Sequence, residues 1–112
     1  RALSIDEALS VLVEERRRSL LLLLRNHAPR TVDIHTVIEK LGEIEEKSTD
    51  GALDEDTREK IYTTLSHMHI PKCEQARVVE FNEDEKTLKY ESDPVLDMYL
   101  NLTEELSEEL GI

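Results

Sequence analysis

Lys60, Thr63, Thr64 and His67 fall on one side of a helical projection, opposite Ile61, Leu65 and Met68. Short polar side chains of these types donate to or accept from phosphates and base edges. A merely solvated helix face would show the same row. The charge distribution supplies a second signal. The stretch Arg16–Arg30 holds five arginines and no acid, and Arg58–Arg77 sets four cations against Glu59 and Glu74. These stretches stand in a chain with 26 acidic and 14 basic residues and a net charge of −12. A basic face on an acidic body is the electrostatic footprint that phosphate contact requires. A continuous positive face joining Arg16, Arg17 and Arg18 with Lys60 and Lys72 would mark DNA contact. The bland alternative is that the three arginines only cap and solvate a leucine-rich helix. Further on, Asn82–Glu85 is acidic and would repel phosphates, with only Lys86 and Lys89 to offset it.

Other chemistry is weaker. His69 and Cys73 are four residues apart and His67 is close by, which brings a metal site to mind. His67 and His69 point to different sides of a helix, however, and a fourth ligand is not apparent. A buried histidine and a buried free cysteine are expected instead, with no metal and no cofactor. No serine has an arranged His and Asp, and three glycines are too few for a phosphate-binding loop. The chain is therefore not expected to be an enzyme.

The elements that must position these residues follow from capping and periodicity. Ser4 and Glu7 form a capping box, and Ile5, Ala8, Leu9 and Leu12 keep helical spacing. Glu14–His27 continues as a second helix or as the same one after a bend. Its five leucines, Leu20–Leu24, are too many for one narrow stripe, so this helix is predicted to be covered on most sides, ending at Asn26, His27 and Pro29. Asp33 caps a predicted helix to about Glu46 with Ile34, Val37, Ile38, Leu41 and Ile44 apolar. Lys47–Ala52 reads as a loop. Asp54 or Asp56 opens the next helix, with Ile61, Leu65 and Met68 as its apolar row. Pro71 predicts a kink near His67–Pro71, after which the apolar positions shift to Ile70, Cys73 and Ala76. Val78–Phe81 and Thr87–Tyr90 are predicted strands around a tight turn. Ser92–Asp93–Pro94 opens a final helix whose Val95, Met98, Tyr99, Leu102, Leu106 and Leu110 share a stripe.

At 112 residues this is one domain, residues 1–92, with an added amphipathic helix over 93–112. A single cysteine excludes an internal disulfide, and no apolar run approaches the length of a membrane span. The sequence opens on Arg1, so it is expected to be trimmed, and a leader ahead of it would be invisible. Apolar residues are 38% and charged residues 36%, yet the apolar positions are periodic, which argues against disorder. Such an acid load on a patterned domain suggests halophilic adaptation, in a salt-rich cytoplasm.

Helix followed by hairpin is the order of the back half of a winged helix-turn-helix. The phrase HIPKCEQARVVEF, His69–Phe81, has the spacing of the winged-helix motif His-Leu-x-x-Leu-x-x-Ala-Gly-Leu-Val, with Ile70 and Cys73 in the Leu places and Ala76 in the Ala place. Together with Arg16–Leu24 and the helix from Asp33, it resembles winged-helix regulators of the arsenic-repressor type, and more closely small haloarchaeal winged-helix domains. Two positions depart: Arg77 stands where the motif has Gly, and Cys73 is smaller than the second Leu. The resemblance implies a mostly α fold with a small β-hairpin (α+β) plus a C-terminal helix. In such a fold a short strand would sit near Arg30–Val32. The resemblance also implies a cytoplasmic transcription regulator that binds double-stranded DNA as a homodimer. Lys60, Thr63, Thr64, His67, Lys72, Arg16, Arg17, Arg18 and Lys86 would meet the DNA, and Met98, Tyr99, Leu102, Leu106 and Leu110 would join the protomers. The alternative is a winged helix that has lost DNA binding and recruits a protein partner.

Overall fold

The computed structural model describes residues 2–27, 30–46 and 53–111. The predicted loop at Lys47–Ala52 and the stop at Pro29 lie outside them. Among the described residues, six α-helices accompany a small antiparallel sheet: α1 (Ile5–Leu12), α2 (Glu15–Asn26), β1 (Thr31–Asp33), α3 (Ile34–Glu46), α4 (Glu55–Thr64), α5 (Ile70–Gln75), β2 (Val79–Asn82), β3 (Thr87–Tyr90) and α6 (Pro94–Leu110). The chain is thus mostly helical with a small sheet, of the α+β class.

Local chemistry sets the helix starts. Ser4 and Glu7 exchange backbone and side-chain bonds as a full capping box. Asp54 accepts from the Thr57 N–H at 2.8 Å, and that bond is the main reason its carboxyl is held below the ordinary carboxylate range. Asp33 accepts from the His35 N–H at 2.7 Å at the start of α3. Asp93 caps α6 with Pro94 behind it, where a missing N–H costs nothing.

Strand β3 is central, with β1 and β2 antiparallel on either side. The register pairs Val32 with Leu88, Val79 with Tyr90 and Phe81 with Leu88. Val32, Val79, Leu88 and Tyr90 are buried from the sheet, where they join Leu20, Leu21 and Leu24 of α2 in the core. Leu22 and Leu23 are half-buried against the same core, so α2 is covered on most sides as its leucines predict.

The segment Leu65–His69 between α4 and α5 is a π-helical turn, with the Ile70 N–H reaching back five residues to the Leu65 carbonyl. Where a kink is expected, one residue is inserted instead. Pro71 follows, with no N–H to give and a ring that crowds the preceding turn, and the wider π turn accommodates both. The insertion shifts the buried row. Ile61 and Leu65 are buried, but His69 and Ile70 come next, and Met68 is turned out to 53% exposure. The predicted row through Met68 is therefore corrected. Ile44, near the end of α3, and Ile5 and Leu9 of α1 are likewise exposed, while Val11 takes a core place.

The rod α4–α5 ends in a Schellman motif: the Val78 N–H bonds the Cys73 carbonyl at 3.0 Å and the Arg77 N–H that of Glu74 at 2.9 Å. Arg77 holds the left-handed position at φ 63. An L side chain is strained there and glycine is not. Arg77→Gly is therefore expected to raise the unfolding free energy by about 1 kcal/mol, read as a higher urea midpoint at unchanged slope.

Candidate nucleic-acid interface

The rod packs along α3 and runs through its Schellman turn directly into the β2–β3 hairpin. Lys60, Thr63 and His67 are exposed on it. Thr64 is half-buried, and its hydroxyl donates to the Lys60 carbonyl at 2.8 Å. Lys60, Thr63 and Thr64 share a shallow depression with Asp56 and Glu59. The row is therefore a physical surface, with two carboxylates on its near side.

The other predicted contacts scatter. Arg16 lies in a cleft with Thr64, Met68 and His69, where α2 meets the rod. Its guanidinium forms a bidentate pair with Glu45 at 2.7 and 2.5 Å. Arg17 is only 7% exposed and points inward. Its Nε donates to the Val11 carbonyl at 2.7 Å and its Nη2 to that of Ser10 at 3.1 Å. Arg18 donates to the Leu12 carbonyl at 2.7 Å. The last carbonyls of α1 thus receive their donors from two arginines of α2, the place where cations favour a helix end. Arg17 does not belong to a surface, so the positive face that would mark DNA contact does not run unbroken across Arg16, Arg17 and Arg18. Arg17 and Arg18 do cap, but the helix capped is α1 and not the leucine-rich α2 that the bland alternative named.

Lys72 is half-buried on α5. Lys86 is exposed at the hairpin turn with φ 57, and its ammonium stands 5.9 Å from the Phe81 ring centroid. Its carbonyl accepts from the Ile34 N–H at 2.9 Å, which ties the hairpin turn to the start of α3. Lys86 overlooks a second cleft between α3 and α4, floored by Ile34, Ile38 and Tyr62. There Arg58 is paired with Glu39, and that bond is the main reason its guanidinium is held above its ordinary range.

His69 and Cys73 are buried, as expected of them. The His69 Nδ1 stands 3.3 Å from Arg17 Nη1. Burial pushes the Cys73 thiol up to about 12, which leaves it an unreactive, protonated side chain. Among the described residues no group of three or more His, Cys, Asp or Glu is placed to hold a metal ion. The Arg17–His69 contact escapes sequence reasoning because its partners are 52 residues apart. The one available signal was the spacing of His69 to Cys73 along a buried face.

The family described as Domain of unknown function (DUF7344) matches residues 9–89. The chain belongs to this family. The DUF7344 match runs from α1 into β3 and so takes in the rod, both clefts and the hairpin, while α6 lies beyond it. No curated protein and no solved structure gives a significant match. No helix among the described residues of this DUF7344 chain is long and apolar enough to cross a membrane.

Proposed function

We propose that this chain is a winged helix-turn-helix transcription regulator that binds duplex DNA as a homodimer in a salt-rich cytoplasm. In this reading α3 and the α4–α5 rod form the helix pair, β2–β3 is the wing, and β1 closes the sheet beside it. The observation that carries it is the exposed Lys60–Thr63–His67 row, held on a helix packed against α3 and joined to the hairpin. A helix so presented can enter a major groove, with short polar side chains meeting base edges and Lys60 a phosphate.

The reading is tested by selecting duplexes from a random pool in molar KCl, then titrating the winner against the protein by fluorescence anisotropy. Lys60→Ala is expected to weaken binding roughly tenfold and to reduce the salt slope by about one phosphate contact. An unchanged affinity and slope would remove the row as the contact surface.

A second reading, a module that recruits a protein partner, is favoured by one observation. The wing tip presents Glu83, Asp84 and Glu85, all exposed, where a DNA-binding wing would offer cations. Selection that enriches no duplex would leave this reading standing.

A further inference from the structure

His69 is 3% exposed and closes the π turn against α2. Its Nδ1 faces Arg17 Nη1 at 3.3 Å. Arginine is always a donor, so this nitrogen is the acceptor and the ring carries its proton on Nε2. The same guanidinium holds the Val11 and Ser10 carbonyls at the end of α1. One side chain therefore ties the α1–α2 elbow to the single irregular turn of the rod. Met68 and Thr64 line the cleft beside it, so the edge of the turn borders the surface.

We infer that the Arg17–His69 contact is a proton-operated latch on the rod: neutral His69 keeps the π turn docked, and a proton on His69 releases it. A protonated Nδ1 has no lone pair for Arg17 and would set two buried cations face to face. The charged groups facing the ring are Arg17 and Arg16 of α2, Glu14 just ahead of α2, and Glu45 of α3. Glu45 is already engaged by Arg16. Cys73, one turn along, stays protonated and adds no charge. Burial first, then Arg17 and Arg16, push the His69 pKa below its ordinary value, against the smaller opposite pull of Glu14 and Glu45. An undocked His69 binds its proton more readily than the docked one. Acid therefore favours release, beginning as pH falls below about 6.5 and saturating below the docked value. Release changes the phase between the Lys60–Thr63 part of the row and His67, which lie on opposite sides of the turn's start. Its effect on DNA rests on the function proposed above; the latch itself does not.

Amide exchange and imidazole NMR, followed from about pH 7.5 to pH 5, test the latch. Protection of the Leu65–Ile70 amides, corrected for intrinsic exchange, is expected to fall roughly tenfold as His69 titrates. His69 should titrate below the ordinary histidine value, while the α2 and β3 amides stay protected. His69→Gln keeps an acceptor for Arg17 but cannot titrate, and its turn should hold the same protection across the range. Protection that stays flat while His69 titrates in the unmodified protein would overturn the latch, as would the same acid-driven loss in the glutamine variant. If that variant does not fold, the titration of the unmodified protein decides alone. An acid-opened turn with unchanged affinity for the selected duplex would count against the DNA reading and leave the latch intact.

Discussion

Arg17→Ala is expected to lower the unfolding free energy by about 3 kcal/mol. The guanidinium is buried and serves three acceptors: the Val11 and Ser10 carbonyls and the His69 ring. Removing it takes the donor from all three; at the buried Val11 carbonyl and His69 ring an orphaned acceptor costs more than a bond is worth in exchange with water, while the carbonyl of exposed Ser10 is rehydrated. The truncation also opens a hole beneath the π turn. Arg17→Lys separates charge from geometry. A lysine ammonium restores the positive charge at the end of α1 but cannot span the three acceptors in the planar arrangement a guanidinium offers. It should recover less than half of the loss. Urea unfolding monitored by circular dichroism checks both variants. A cost within about 0.5 kcal/mol, the range of ordinary surface changes, would mean that Arg17 is not the tie between α1, α2 and the rod.

On the proposed reading of a DNA-binding homodimer, Leu102→Lys with Leu106→Lys is expected to give a folded monomer and to weaken binding to a two-half-site duplex a hundredfold or more, the usual scale of lost bivalency. Helix α6 rests on the domain through Leu96 and Leu100, which are fully buried, with Val95 and Tyr99 half-buried against the core. Arg25 and Asn26 of α2 hold its middle by bonding Glu104 at 2.5 and 3.0 Å. Beyond Glu104 every described residue of the helix is exposed. The row Met98, Leu102, Leu106 and Leu110 is uncovered along its length, from 74% exposure at Met98 to 41% at Leu106. Tyr99, expected in that interface, instead packs on its own domain. A projecting helical end of two turns is marginal in water, and a second copy of the same stripe would cover it. Light scattering gives the result directly: an unmodified protein already monomeric at high micromolar concentration would sink the dimer.

The caps are legible in the sequence because capping is a matter of three or four neighbouring residues. Ser4 with Glu7 and Asp93–Pro94 start helices where the sequence places them, and of the two candidates Asp54 and Asp56 it is Asp54 that caps α4. The left-handed stop at Arg77 is also legible, since the motif puts glycine there and Arg77 adopts glycine's conformation. The rotation of the rod is not. Pro71 announces a disturbance, but whether the helix bends or takes in an extra residue depends on what the turn docks against, and that is Arg17 in another helix. Met68 is turned out of the buried row for this reason. Charge composition likewise counts arginines without pairing them: Arg16 finds Glu45 across 29 residues, and Arg17 finds backbone. On α6 the predicted stripe of Val95, Met98, Tyr99, Leu102, Leu106 and Leu110 leaves out Leu96 and Leu100, the pair that the domain itself buries. Leu96 and Leu100 win because the row through Val95 and Tyr99 lies beside them, so the four together meet the core.

Asp93 carries two duties on one carboxylate. Its Oδ1 accepts from the Val95 and Leu96 N–H groups at 3.0 and 2.9 Å, and its Oδ2 accepts from the Leu3 N–H at 2.9 Å, from a residue 90 positions earlier. The consequence lies in the order of synthesis. A ribosome delivers α1 before α6, and the chain can pack it against α2 early. Its leading end finds its anchor only when the start of α6 has emerged. A stalled chain that stops at the hairpin would carry the rod and the sheet with the front of α1 still loose, and the domain would close only from its two ends at once.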